Sequence, residues 1–290
     1  MPGGCSSRTD AADALAGPRQ QMVGLAVVPR ARRRIDLLPL PRCYREEVRR
    51  KDGARVNEFF RFPHTPHLEW LGPDSPRDDK VLDAHERDEL LSDFVVVEEK
   101  IDGANVGISV ADDGSIIPQN RGELLIESIA HPQFGPLWAW LDARKDPLID
   151  ELWPHCILFG EWCYATHSVR YDRLPDWFVG FDLYDRREQA FWSTKRRDAL
   201  LSRVGVATVP RLAEGRFSLD ELRSMFGTSH FGAEDMEGIV IRRDDHVRSL
   251  RRAKLVRPTF VQDIEEHWSR QPLRRNAIEG AHWSQYDRNS

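Results

Sequence analysis

The stretch VVVEEKIDGAN, residues 95–105, decides how this chain folds. The three β-branched valines at its start are typical of a buried strand, and the Asp-Gly pair at 102 and 103 predicts a turn where the backbone approaches a ligand. Lys100 stands where the strand stops. A lysine among carboxylates is most often a solvated surface residue, and only the rest of the chain favours a lysine delivered into a cleft.

Five further motifs follow in order along the chain. They are QNRGELL at 119–125, ILFGEW at 157–162, WFVGFDLYD at 177–185, EGIVIR at 237–242 and RRAKLV at 251–256. In order and spacing, the six segments resemble the collinear motifs of the covalent nucleotidyltransferase superfamily of ATP-dependent ligases and capping enzymes. Within it the chain is most similar to RNA ligases of the phage double-strand-sealing type. One Lys-x-Asp-Gly match is weak, whereas six ordered matches favour a functional Lys100.

The resemblance implies an ATP-dependent RNA ligase that uses ATP and Mg²⁺ or Mn²⁺ and joins RNA 5′-phosphate and 3′-hydroxyl ends. Lys100 would take AMP from ATP as a lysyl-adenylate, and AMP would pass to the RNA 5′-phosphate. The 3′-hydroxyl would then displace AMP. The attacking amine must be neutral, yet an ordinary lysine has a pKa of about 10.4. We therefore expect Lys254 or the metal ion to lower the pKa of Lys100.

The same resemblance assigns roles to several other side chains. Glu161 would accept hydrogen bonds from the ribose hydroxyls, Phe181 would stack on adenine, and Glu237 would bind the metal ion. Glu99 is expected to contribute to the nucleotide-binding site. The alternatives are a surface acid at the end of a strand for Glu161 and a core aromatic for Phe181. Asp102 is equally well explained as a turn residue before glycine.

Cationic residues complete the site that the resemblance implies. Relatives usually carry two lysines flanking one residue on the last strand, whereas this chain has Arg252, Ala253 and Lys254. A strand period of two still directs both cations to one side, toward the phosphates, although a basic strand is also typical of a solvated sheet edge. Arg121 would contact the 5′-phosphate or the adenylate. Asn105 stands where phage-type RNA ligases carry asparagine and DNA ligases typically carry arginine, which favours RNA.

Composition predicts a soluble globular protein without a membrane span: of 290 residues, 40% are hydrophobic and 31% are charged. The four cysteines show neither a Cys-x-x-Cys pair nor metal-site spacing with histidine, which favours reduced thiols in the cytoplasm. These cysteines are Cys5, Cys43, Cys156 and Cys163.

The chain divides into three predicted regions. Residues 1–56, rich in Ala, Gly, Pro and Arg, predict a disordered tail; a mitochondrial-type presequence and a misassigned translation start are alternatives. This segment has 12 Lys and Arg against 6 Asp and Glu, while the remainder has 30 against 41. Residues 57–270 predict the adenylation domain and residues 271–290 a basic tail. Only 36 residues follow Lys254, too few for the five-stranded oligonucleotide-binding barrel of DNA ligases and capping enzymes.

Alternating apolar residues and turn signals predict an α+β fold of antiparallel sheets with flanking helices around a nucleotide cleft. The predicted strands are 94–99, 105–110, 116–119, 156–161, 177–184, 237–242 and 249–256. The predicted helices are 83–91, 132–144, 194–204, 218–226 and 260–269.

Expected partners are RNA ends and an end-healing kinase or phosphatase. Eight arginines near the C-terminus would form a cationic track for a phosphate backbone. They are Arg242, Arg243, Arg248, Arg251, Arg257, Arg270, Arg274 and Arg275. Two alternatives remain: a DNA ligase or guanylyltransferase of the same superfamily, and a non-catalytic nucleotide- or RNA-binding scaffold, because fold alone does not establish activity.

Overall fold

Strands and helices alternate along the part of the chain that the computed structural model describes, residues 59–72, 80–263 and 273–280. The strands are β1 (Val95–Lys100), β2 (Ala104–Val110), β3 (Ile116–Gln119), β4 (Cys156–Trp162), β5 (Phe178–Asp185), β6 (Ala190–Phe191), β7 (Ala207–Thr208), β8 (Arg211–Gly215), β9 (Gly238–Asp244) and β10 (Ser249–Val256). The α-helices are α1 (Ala84–Leu91), α2 (Leu137–Asp142), α3 (Lys145–Leu152), α4 (Thr194–Val204), α5 (Leu219–Ser224) and α6 (Pro258–Asp263). The predicted tail 1–56 and the end of the predicted last helix, 264–269, lie outside the described residues.

Sheet 1 is antiparallel with strand order β10-β9-β1-β8. Apolar residues on one of its faces are fully buried and pack against the segment before α1 and against α1 itself. Sheet 1 contributes Val97, Ile239, Ile241 and Leu255 to this core, the segment before α1 contributes Leu68, and α1 contributes Leu90. The opposite face carries the charged residues of the last two motifs, because successive side chains alternate between the two faces.

Sheet 2 has the order β3-β2-β4-β5-β6, antiparallel throughout, and β7 joins β5 in parallel. Helices α2, α3 and α4 contribute to a core against one of its faces, which includes Val106, Trp140, Leu148, Leu158, Trp162 and Leu200. The described residues form no closed barrel. This arrangement confirms the predicted α+β class with antiparallel sheets and flanking helices. No helix in the described ranges has the length and apolar character needed to cross a membrane.

The predicted helix 132–144 is wrong as one element. The chain forms a short 3₁₀-helix at Pro132–Phe134 and then α2, because Pro136 caps α2 and cannot supply a backbone N–H for a continuous helix. The prediction missed α3 and the strands β6, β7 and β8. Strands β6 and β7 have two residues each, and β8 at the edge of sheet 1 carries exposed polar residues, so they lack clear apolar alternation.

Gly238, the first residue of β9, lies against the neighbouring strand. A methyl group added to its Cα would approach the Leu255 carbonyl oxygen to 2.2 Å and the Val256 Cα to 2.9 Å. We expect Gly238→Ala to lower the free energy of unfolding by about 1–3 kcal/mol, because β10 must move to make room. Urea denaturation followed by tryptophan fluorescence would measure this. Gly227→Ala is the control, since no atom lies within 4 Å of its added methyl group; equal losses would contradict the prediction.

Candidate active site

Lys100 ends β1 on the face of sheet 1 that looks toward sheet 2. It pairs across the sheet with Gly238, and its Nζ donates a hydrogen bond of 2.6 Å to Oε2 of Glu237. Lys100 is partly buried and Glu237 is buried. The predicted nucleophile and the predicted metal-binding carboxylate therefore form an ion pair.

The motif of β10 lies two strands away on the same sheet. Lys254 pairs with Val240 of β9, and Val240 in turn pairs with Glu98 of β1. Arg252 pairs with Arg242. Because residues two apart share a face of a strand, the register places Lys254 and Lys100 on the same side of sheet 1.

Sheet 2 supplies the facing wall. Asn105 of β2 and Glu161 of β4 are directly paired, and Phe181 follows on β5. The Oδ1 atom of Asn105 and the Oε2 atom of Glu161 are buried and have no hydrogen-bond partner. Since buried acceptors are normally satisfied, these two atoms mark a place where a ligand would supply donors.

One cavity of about 160 Å³ joins the two walls. Eight of the nine sequence-predicted site residues line it: Glu99, Lys100, Asn105, Arg121, Glu161, Phe181, Glu237 and Lys254. Residues that the sequence did not single out also line it: Phe62, Thr65, Glu98, Ile101, Asp182, Val209 and Val240, together with Arg242, which was expected in the cationic track. The six motifs thus converge on a single site between the sheets.

Arg252, the ninth predicted residue, lies beside this cavity rather than in its wall. Its guanidinium bonds the carboxylate of Asp182, and it stacks at 4.6 Å from the ring centre of Phe62 and 4.1 Å from that of Phe191. Burial lowers the pKa of Arg252 below its usual value, and the adjacent Asp182, which favours the charged form, offsets only part of this shift. The guanidinium of Arg252 is therefore held by Asp182 and two aromatic rings.

Glu99 points its carboxylate away from Lys100, as strand alternation requires. Its Oε1 accepts a hydrogen bond of 2.5 Å from Ser229 Oγ, and its Oε2 accepts one of 3.0 Å from the backbone N–H of His230. The side chain of Glu99 is thereby committed to the segment that leads to Glu237.

Asp102 bonds a neighbouring loop. Its Oδ2 accepts hydrogen bonds from the backbone N–H groups of Ser168, at 2.7 Å, and Val169, at 2.9 Å. The carboxylate therefore fixes the loop after β4 to the turn that follows Lys100, which favours a structural role for this motif residue.

The pKa of Lys100 is shifted in the direction opposite to the expected one. Burial lowers the pKa of Lys100, but the charges of Glu237, Glu161 and Asp102 outweigh burial and raise it above its usual value. Burial also raises the pKa of Glu161 to about 8 and that of Glu237 to about 7. The net shift of the Lys100 pKa is therefore upward, which favours the ammonium form, and the lowering expected from Lys254 is wrong.

These carboxyl pKa values predict how stability depends on pH. The folded-state pKa of Glu161, about 8, lies above the value of 4.5 for an unperturbed group, so the folded protein binds the extra proton between these values. The resulting stabilisation is full below about pH 4.5 and is lost as the pH rises through 8. Replacing Glu161 with glutamine should remove this loss, worth on the order of 1 kcal/mol or more between pH 6 and pH 8.5. Parallel pH profiles of the unfolding free energy for the two proteins would contradict this.

Sequence reasoning missed a buried ion-pair network at the wall of the cavity, formed by Glu98, Asp182, Arg197, Arg242 and Arg252. Glu98 accepts hydrogen bonds of 2.5 Å from Arg197 Nη2 and 2.8 Å from Arg242 Nε. Arg242 Nη1 also donates to Asp182 at 2.7 Å. Because β1 and β9 belong to sheet 1 and β5 to sheet 2, the network ties the two walls of the cavity together.

The same contacts revise the expected cationic track. Arg242 is only 3% exposed and cannot face a phosphate backbone. Arg251 and Arg257 are ion-paired with Glu89 and Asp235, respectively. A continuous track along these residues is therefore wrong, while Arg270 lies outside the described residues.

Comparisons with known proteins agree with this geometry. The family model for RNA ligase matches residues 93–256, more than half of the chain, whereas a comparison with curated protein sequences found no match. Among solved structures, the chain is similar to an RNA ligase mutant of Naegleria gruberi with ATP and Mn, at 18% identity and a TM-score of 0.54, covering 72% of this chain and 58% of that one. A second mutant of that ligase, with AMP and Mn, gives 19% identity and a TM-score of 0.54, covering 73% and 59%.

The chain spans about three fifths of the length of these solved ligases. At such identities the likeness shows a shared fold. The extent of the family match, 93–256, includes β1 to β10 and hence both walls of the cavity. The chain therefore belongs to the RNA ligase family.

Proposed function

We propose that the protein is an ATP-dependent RNA ligase that works through a covalent lysyl-AMP intermediate on Lys100. The observation that carries this proposal is the meeting of Lys100, Glu161, Glu237 and Lys254 around one cavity, together with two buried acceptor atoms that lack partners. Each of these side chains has the chemistry that nucleotidyl transfer needs.

The nucleotide fits the wall formed by sheet 2. The ring of Phe181 is half-buried at the cavity, where adenine would stack on it. The unpartnered Oε2 of Glu161 suits a ribose hydroxyl donor. The solved Naegleria ligase structures with ATP or AMP support the same ligand class.

Glu237 fits a divalent cation. In the part of the chain described, no three His, Cys, Asp or Glu side chains converge on a metal position, and Mg²⁺ typically uses one or two carboxylates together with substrate phosphates. Burial raises the pKa of Glu237 to about 7, and a cation bound beside this carboxylate would favour its charged form. Mg²⁺ or Mn²⁺ bound there would offset negative charge on the nucleotide phosphates.

Catalysis requires Lys100 to lose the proton that Glu237 now stabilises. When Glu237 turns to another cation, its ion pair with Lys100 is lost. The positive charge of Lys254 on the same sheet face then lowers the pKa of Lys100, so the neutral amine forms more readily. The Lys100 nitrogen then forms a bond to the α-phosphorus of ATP as the bond to the pyrophosphate oxygen breaks, and its proton passes to solvent. AMP moves next to the RNA 5′-phosphate, and the 3′-hydroxyl displaces it to form the phosphodiester.

RNA, rather than DNA, is the proposed substrate, and sealing of the phage double-strand type is the proposed mode. Asn105 supports both, because its side chain lines the cavity with an unpartnered Oδ1 atom. Arg121 is exposed at the same cavity and suits a bidentate contact with the 5′-phosphate. A kinase or phosphatase that prepares the RNA ends, and a cytoplasmic site of action for a protein with free thiols at Cys156 and Cys163, belong to the same proposal.

The test is to incubate the protein with Mg²⁺ and α-labelled ATP or GTP and to measure acid-resistant label on the denatured chain. Label from ATP, followed by sealing of nicked RNA, is the expected result. Label from GTP would indicate a guanylyltransferase, and preferential sealing of nicked DNA a DNA ligase. Absence of label from both nucleotides, with mass spectrometry showing no AMP already attached, would support a non-catalytic scaffold instead.

A further inference from the structure

A second cavity, of about 620 Å³, lies outside the nucleotide cavity. Its size falls within the range of ligand pockets, roughly 300–1,000 Å³. Its walls come from the loop that follows β4 and from the C-terminal segment 273–275. Five basic or imidazole side chains line it: His131, His167, Arg170, Arg274 and Arg275.

The cavity walls are fixed by hydrogen bonds. The backbone N–H of Thr166 donates to the Arg274 carbonyl oxygen at 2.7 Å. Buried Asn276 accepts from Thr166 Oγ1 at 2.7 Å and from the Tyr171 N–H at 2.9 Å, and it donates to the Cys163 carbonyl oxygen at 2.9 Å. The arginines at this position therefore project from a backbone that is already organised.

Two of these arginines are available to a ligand. Arg170 and Arg274 are exposed, and neither guanidinium has a hydrogen bond or ion pair with any described residue. Glu234 is the acidic residue among the described lining residues, and its Oε2 accepts a bond of 2.8 Å from the Arg170 backbone N–H. Residues 57–290 are acidic overall, so this concave surface is a local positive region that suits phosphate oxygens.

The second cavity is coupled to the nucleophile through the backbone. Ser168, one of its lining residues, donates its N–H to Asp102 at 2.7 Å, and Asp102 lies two residues after Lys100. A chain of phosphates held in this cavity would therefore approach the end of β1 from the side of the loop. This position suits a polymeric substrate whose reacting end must reach Lys100.

We propose that this second cavity binds the phosphodiester backbone of the RNA to be joined, through Arg170 and Arg274. The proposal rests on the proposed function and adds a binding site remote from the nucleotide cavity. Two guanidinium–phosphate contacts strengthen RNA binding without regard to base sequence.

The experiment compares the double variant Arg170→Ala/Arg274→Ala with wild type. Affinity for a fluorescent nicked RNA duplex with a 5′-phosphate is measured by anisotropy at several salt concentrations. The double variant should bind about 10-fold more weakly at low salt, and the slope of log affinity against log salt should fall by about 1–2, as expected for loss of two phosphate contacts. Label from ATP on Lys100, which forms before RNA is needed, should continue.

Two controls make the result decisive. Arg187→Ala removes an exposed arginine in the turn after β5. This turn lies roughly 20 Å from the start of β5, the end of the strand that adjoins the loop after β4. The variant should bind RNA like wild type. Arg170→Lys/Arg274→Lys keeps both charges and should restore most of the salt dependence. Three outcomes would each overturn the proposal. The double lysine variant could fail to restore the salt dependence, the double alanine variant could bind RNA as tightly as Arg187→Ala, or wild type could fail to bind RNA. The protein could also bind RNA through these arginines yet take no label from ATP. That result would support RNA binding at the second cavity and overturn the proposed ligase function.

Discussion

A Lys100→Ala protein should form no lysyl-adenylate and should lose RNA sealing by about 1,000-fold or more. The substitution removes the amine at the end of β1 that faces Glu237 at 2.6 Å, and the covalent bond to AMP needs that nitrogen. Acid-resistant label from α-labelled ATP, together with the intact mass of the protein, measures the first loss. Product formation on nicked RNA measures the second.

Two variants separate loss of the nucleophile from loss of its charge. Lys100→Arg keeps a cation next to Glu237, but a guanidinium stays protonated and does not act as the amine nucleophile, so it should be equally inactive. Lys195→Ala removes an exposed lysine on α4 and should be labelled like wild type. Label that persists on Lys100→Ala would overturn the assignment of Lys100.

Replacing Glu98 with alanine should lower the free energy of unfolding by about 3–5 kcal/mol. Glu98 is 1% exposed and lies between Arg197 and Arg242, which are 1% and 3% exposed. Burial raises the pKa of Glu98, but these two guanidiniums outweigh burial and hold it below its usual value. Without the carboxylate, two buried cations face each other in a medium of low polarity, which is far costlier than the loss of a surface pair.

Urea denaturation at pH 7 would measure the loss for Glu98→Ala. Glu214→Ala is the matched control, because Glu214 is exposed on the adjacent strand β8 and pairs with Arg211 at 3.2 Å; it should change stability little. Because the folded-state pKa of Glu98 is lowered, its stabilisation is present above pH 4.5 and is lost as the pH falls further. A loss no larger than that of Glu214→Ala would contradict the prediction.

Much of the fold was predictable because its central strands carry strong local signals. The valines before Lys100 and the alternating run 177–185 predicted β1 and β5, and both are present. Pro136 lies inside the predicted helix 132–144 and divides it, because proline cannot supply the backbone N–H of a continuous helix. Strands such as β7 depend on pairing with β5, which nothing within their own two residues can signal.

The sequence was sufficient to predict which residues of the site lie close together. It was not sufficient to predict their protonation or their ion-pair partners. Motif order placed Lys100 and Glu237 together across 137 positions. The raised pKa of Lys100, however, depends on the charges of Glu237, Glu161 and Asp102, which come from one strand and two connecting segments. Arg252 was expected toward the phosphates from the family resemblance and the strand period, while its contact with Asp182 comes from the other sheet, 70 positions earlier in the chain. Whether Arg252 turns to phosphates with a nucleotide present stays a prediction.

The ion pair between Lys100 and Glu237 also determines what the resting protein leaves alone. The raised pKa of Lys100 reduces the fraction of neutral amine, the form that carries the nucleophilic lone pair, so Lys100 should react more slowly with acylating and carbonyl-containing reagents than the exposed Lys145 or Lys195. Small electrophiles that diffuse into the cavity would therefore react slowly with Lys100. The carboxylate that we propose for the metal ion would thus also protect the amine of Lys100 from chemical modification.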